Sequence, residues 1–180
     1  MKIVKYIISY IRILILKILY MNRLEIKGGK FFFDIFTDII LYKNSRLSIG
    51  KNLYISNNCS IECKGGNITI GNGVYCNKFC KFVSYKKIKI GNDCIFGPNV
   101  YIYDHNHKYN QKSILIKDQG FEIDDVIIGN NVWVCANVVI TAGSNIGNNI
   151  VIGANSVVNG ELLSDGVYCG NPAKLVKKIM

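Results

Sequence analysis

The stretch that decides the fold runs from Val126 to Val158: "VIIGNNVWVCANVVITAGSNIGNNIVIGANSVV". Its aliphatic residues Ile128, Val134, Ile140, Ile146, Ile152 and Val158 recur every six positions without a slip. A six-residue unit holds a short strand and a turn: the aliphatic side chain points inward, and Gly and Asn tolerate the backbone that a corner needs. Three units close a triangular coil of about 18 residues, and stacked coils bury one continuous column of side chains.

Working outward, Ile90, Phe96 and Ile102 keep the same phase, and Gly recurs at Gly50, Gly71, Gly91, Gly129, Gly147 and Gly153. Ile49, Ile70 and Ile90 are spaced 21 and 20 apart, which fits coils with extra residues at one corner. The repeat is legible from about residue 47 and breaks once, at "DHNHKYNQKSILIKDQGFEIDD", residues 104–125. That excursion contains both histidines of the chain, His105 and His107. Solenoids carry function in such loops, because the coil fixes the base while the tip varies. Histidine also changes charge nearest neutral pH, so the pair marks a candidate site.

With 180 residues, 49% of them hydrophobic and only two prolines, the chain reads as one compact domain with a short appendage. The formal net charge of +10 suits an anionic partner: nucleic acid, an anionic membrane or an anionic cofactor. The aromatics sit inside apolar runs rather than between Lys and Arg, which argues against nucleic acid. Of the seven cysteines, Cys59, Cys76 and Cys94 recur in register with the coil. The pairs Cys59/Cys63 and Cys76/Cys80 have no histidine nearby to complete a zinc set. They read as small buried hydrophobes in a reducing compartment.

Residues 1 to 30 carry seven Lys or Arg against Glu25 alone. Arg12 and Lys17 interrupt the apolar run "IVKYIISYIRILILKILY", and no small-residue cleavage site follows, so neither a signal peptide nor a membrane span fits. At helical spacing Ile3, Val4, Ile7, Ile8, Ile11, Leu14, Ile15, Ile18 and Leu19 form one apolar face. Lys2, Lys5, Ser9, Arg12 and Arg23 fall on the other, with Ile13 and Leu16 as exceptions. Such a basic amphipathic helix lies either on an anionic membrane surface, through residues 1–22, or against its own oligomer.

From residue 47 to the end the tandem motif resembles the hexapeptide-repeat acyltransferases, in particular the galactoside and maltose acetyltransferases. The resemblance implies an all-β fold: a left-handed parallel β-helix with an N-terminal amphipathic α-helix and a short C-terminal helix. The expected divisions are 1–30 for the helix, 31–169 for the β-helix and 170–180 for a basic tail. In those families the catalytic histidine lies seven residues past the Val of a "PxV"-like step. Here "GPNV" ends at Val100 and seven further on stands His107. "DHxH" also looks like a pattern of polysaccharide-modifying members, which keeps His105 as second candidate or as the partner that orients His107. Tyr103, Asp104 and Trp133 are placed on the acceptor side. Asp104 either orients an imidazole or caps a turn.

The tail "GNPAKLVKKI" resembles the segment that meets coenzyme A in these enzymes, with Lys174 and Lys177 matching the basic residues. Ala136, Ala154 and Asn159 match coil positions along the pantetheine slot. Gly160 stands where the family often has Lys or Arg. The implied activity is acetyl transfer from acetyl-CoA, without a metal, to a sugar hydroxyl in capsule, exopolysaccharide or lipopolysaccharide synthesis. The implied assembly is a cytoplasmic homotrimer, peripheral at the inner face of the plasma membrane if the helix meets lipid. Serine, an amino sugar or an antibiotic such as chloramphenicol are alternative acceptors, and a non-catalytic scaffold is the rival of another kind. A zinc carbonic anhydrase on this fold would need three histidines spread over neighbouring coils, and the chain has two in one loop.

Overall fold

The computed structural model describes residues 2–180; the faces assigned above to Lys2 and Ile3 rest on side chains outside the described residues. The hexad periodicity becomes a three-sided parallel β-helix. Its first face is a seven-stranded sheet running from Leu24–Ile26 through Arg46–Ile49, Asn67–Ile70 and Lys87–Ile90 to Val126–Ile128, Asn145–Ile146 and Glu161–Leu162. The second face has eight strands and the third six. Equivalent residues of successive coils stand in parallel register: Ile88 pairs with Val126, Phe96 with Val134 and Ile102 with Ile140.

Every aliphatic residue of the hexad phase, from Ile90 to Val158, is buried in one column. The corners divide labour between their two residue types. Asn52, Asn99, Asn131, Asn137, Asn149 and Asn155 take the left-handed conformation, φ between 53° and 60°, which Asn tolerates better than other side chains. Gly129 does not need that conformation. A Cβ there would lie 2.6 Å from the carbonyl oxygen of Gly147 in the next coil, so close stacking of corners is what demands glycine. Asn side chains then knit the corners together: Asn130 donates its backbone N–H to Asn148 Oδ1 at 2.7 Å, and Asn92 does the same to Asn130 at 2.8 Å.

Both ends depart from expectation. The coil begins at Leu24, within the segment expected to be helix and well before residue 47. At the other end the tail is a strand, Lys174–Lys178, antiparallel to Gly166–Cys169, and not a short helix. The last coil leaves an unpaired edge, and an extended tail satisfies its backbone groups where a helix would leave them open.

The N-terminal helix, Lys2–Tyr20, closes the opposite end by the face that looked polar. The bottom coil has no neighbour below it, so its backbone groups need partners. Ser9 Oγ accepts from Phe33 N at 2.8 Å, Arg12 donates to the carbonyls of Asp34 and Thr37, and Tyr20 Oη donates to Ile39 O at 3.0 Å. Arg23 donates to Leu41 O and Tyr42 O. Ile13 and Leu16, the two exceptions of the helical pattern, are buried and plug the core column. Each stabilises the end by about 2 kcal/mol of apolar burial.

Candidate active site

The break in the repeat forms a hairpin. The strand Tyr101–Tyr103 belongs to the third face, and the chain then leaves the coil as His105–His107, which pairs antiparallel with Phe121–Ile123. Asp104 is the anchor. Its carboxylate is fully buried and accepts from Ser84 Oγ at 2.7 Å and from the backbone N–H of Tyr85, Lys86 and Lys87, each at 2.8 Å. In the structure Asp104, placed on the acceptor side by the sequence reading, caps the turn at 84–87 and is closed off from solvent. Asp125 joins the same turn through Lys86 at 2.9 Å and Lys87 at 3.5 Å. Within the loop, Gln119 donates to Gln111 O and Ile114 O and accepts from Gln111 N, which fixes the tip.

On this base the two imidazoles differ. His105 is enclosed, its ring centroid 4.3 Å from Tyr85, 5.3 Å from Phe121 and 5.9 Å from Tyr103. Its Nδ1 is 3.4 Å from Asp104 Oδ1 and makes no hydrogen bond. Burial pushes the imidazole below its ordinary pKa, and the Asp104 carboxylate offsets only part of that shift. His107 is exposed, and its ring lies 4.5 Å from Phe121. Two residues apart on one strand, both imidazoles point to the same side, where Phe121 touches both. An exposed imidazole can meet an acceptor; an enclosed one holds the hairpin in shape.

Below the hairpin on the outer side of the third face lies a group that spacing alone did not reveal. Glu62, nearly buried, sits 2.8 Å from Lys81 Nζ and 3.4 Å from Lys64 Nζ and accepts from Ser60 Oγ at 3.0 Å. Burial pushes its carboxyl up, but the bonds from Lys81 and Ser60 outweigh that and hold it below the ordinary range. Tyr103 stands one coil above Val83 and two above Glu62, and burial raises its phenol pKa. Glu62, Tyr85 and Phe121 were invisible in the sequence because none falls in a motif. Each gains meaning only from stacking.

The residues matched to the acyl donor fall elsewhere on the coil. Ala136 and Ala154 stack at the edge between the second and third faces, where Asn155 N donates to Ala136 O at 3.0 Å. The turn before the tail reaches the same edge, since Ala173 N donates to Val157 O at 2.8 Å. Trp133 is 52% exposed on the outer side of the second face, in register with Ile95 and Val151, and Val167 continues that column to Lys177. Lys174 and Lys177 are exposed. Asn159 continues the register above Tyr103 and Thr141, on the edge that carries the histidines. Gly160 beside it has φ +108, a conformation that a Lys or Arg there would not adopt readily. Within one chain, then, Ala136, Ala154 and the turn before the tail stand on the edge of the third face opposite the histidines, while Asn159 shares the histidines' edge.

No protein-family profile matches the chain. It is 33% identical over 168 residues to a protein of Escherichia coli K12 named as a lipopolysaccharide biosynthesis O-acetyl transferase, WbbJ, covering 81% of this chain and 85% of that one. It is 31% identical to the galactoside O-acetyltransferase of Escherichia coli K12, covering 77% of this chain and 67% of that one. Of several other acetyltransferase relatives the chain spans about half to two thirds of the length. Among solved structures, a galactoside acetyltransferase in complex with coenzyme A superposes with a TM-score of 0.67 at 31% identity, covering 73% of this chain and 64% of that one.

Proposed function

The chain belongs to the hexapeptide-repeat acetyltransferases, built on the left-handed parallel β-helix, and from that premise we propose that it acetylates a sugar hydroxyl with His107 as general base. Acetyl-CoA-dependent acyl transfer is the family's reaction; the acceptor and the base are our reading of this chain. The observation that carries it is the hairpin at residues 103–126, which projects one exposed imidazole, His107, from the coil.

A sugar hydroxyl is too weakly acidic to attack a thioester unaided near neutral pH. A neutral His107 would take the hydroxyl proton as the oxygen bonds to the thioester carbonyl carbon. Collapse of the tetrahedral adduct then breaks the C–S bond, and the imidazolium returns the proton to the coenzyme A thiolate. Such a base contributes roughly 10²–10⁴ in rate. His105, enclosed by Tyr85 and Phe121, keeps the hairpin in register and so positions His107.

The names of the relatives support a saccharide acceptor, of the kind found in lipopolysaccharide synthesis. The placement of Ala136, Ala154 and the tail turn on the edge opposite the histidines supports an active site shared between neighbouring copies, as does the exposed column of Tyr75, Ile95 and Trp133. We take the assembly to be a homotrimer. Thiol release from acetyl-CoA against sugars, nucleotide-sugars, serine and chloramphenicol tests the acceptor. His107→Ala is expected to lower kcat by at least about two orders of magnitude with acetyl-CoA affinity little changed. Retained activity in His107→Ala refutes the assignment of the base, and activity on serine alone refutes the sugar.

A further inference from the structure

The N-terminal helix is mounted in an unusual sense. Its packed side is Ser9, Ile13, Leu16 and Tyr20, with Arg12 beside them, and these contacts spread along the helix so that it lies flat across the end of the coil. The opposite side is aliphatic and uncovered: Ile7, Ile11, Leu14, Ile15, Ile18 and Leu19 are each between 51% and 76% exposed. From Ile7 to Leu19 the stripe runs for roughly 18 Å across the end of the molecule. Contiguous apolar surface of this kind marks a binding face.

Charge decides what it fits. Lys17, exposed, flanks the stripe, Lys5 lies on the packed side beside Ser9 and Arg12, and the first 24 residues contain no carboxylate. A second copy of the helix laid on this face would bring no carboxylate to meet Lys17. An anionic lipid surface satisfies both features at once, taking the aliphatic stripe into the acyl boundary and the Lys17 ammonium group into the headgroups. The helix is not long and apolar enough to cross a bilayer, so it would lie in the surface. We infer that the outward face of this helix docks the protein on an anionic lipid surface, with the base of the coil toward the lipid. The inference rests on the helix alone and stands apart from the acyl-transfer chemistry.

Deleting the helix would uncap the bottom coil, so point variants on the exposed stripe are the proper probes. The full-length protein is mixed with phosphatidylcholine vesicles with and without phosphatidylglycerol, and sedimented at low and high salt. Wild-type protein should co-sediment with the anionic vesicles, bind at least about tenfold more weakly at high salt and largely ignore neutral ones. Leu14→Glu/Ile18→Glu should lose at least about tenfold in vesicle affinity while keeping its melting temperature, sedimentation coefficient and thiol release. Wild-type-like vesicle binding by the double variant overturns the inference, as does wild-type protein that ignores anionic vesicles. A drop in sedimentation coefficient on substitution also overturns it, because the face would then be an interface between copies.

Discussion

Asp104 offers the sharpest test of how the histidine hairpin is held. Replacing it with Ala strands four donors: the N–H groups of Tyr85, Lys86 and Lys87 and the hydroxyl of Ser84. An unsatisfied buried donor costs about 1–3 kcal/mol. Here the turn is partly open and water can reach some of the four, so about 1 kcal/mol each is the working value, or roughly 4 kcal/mol in all. For a chain of this size that lowers the melting temperature by about 8–16 °C. Ser84→Ala removes one donor and keeps the carboxylate, so its loss should be near 1 kcal/mol. Asp104→Asn keeps one acceptor oxygen but turns an NH₂ toward backbone donors, and should fall between the two. Thermal unfolding of the three variants at one fixed protein concentration checks the series, since assembly would otherwise shift the midpoints. A loss under about 1 kcal/mol for Asp104→Ala would refute the reasoning, because the carboxylate would then be capping nothing that water could not.

The remaining predictions concern single positions. Gly129→Ala should destabilise the coil by at least about 2 kcal/mol, because its Cβ would press on the Gly147 carbonyl, whereas Gly65→Ala, at φ +94 with open space around it, should cost only about 1 kcal/mol of backbone strain. Phe121→Ala should reduce kcat while leaving the KM for acetyl-CoA near wild type, since the ring touches both imidazoles; steady-state kinetics decide it, and Phe121→Tyr should restore most of the rate. Burial holds the folded pKa of His105 below its ordinary 6.5. The unfolded chain therefore binds the extra proton first as pH falls, and stability is lost below about that value. In His105→Gln, unfolding measured across that range should show a shallower loss; an unchanged slope would mean that another group titrates.

The architecture was legible in the hexad pattern alone. A strict six-residue period between Val126 and Val158 admits one way of burying its aliphatics, a column inside a three-sided coil, and a loop that interrupts it stands out at once. The identity of the histidine pair, the burial of the cysteine column and the apolar stripe of the first helix were legible for the same reason: each is a one-dimensional pattern. What the tertiary structure decided depends on neighbours distant in sequence. It made Asp104 a turn cap, since Ser84 to Lys87 come beneath it only when coils stack. It set Phe121 against both imidazoles through antiparallel pairing, and it drew the tail out as a strand because the last coil had an open edge. It also turned the first helix around. The polar residues of that helix went inward because the bottom coil leaves backbone groups that only side chains such as Ser9, Arg12 and Tyr20 can satisfy, and a hydrogen-bond deficit at the end of a coil is written in no local run of residues.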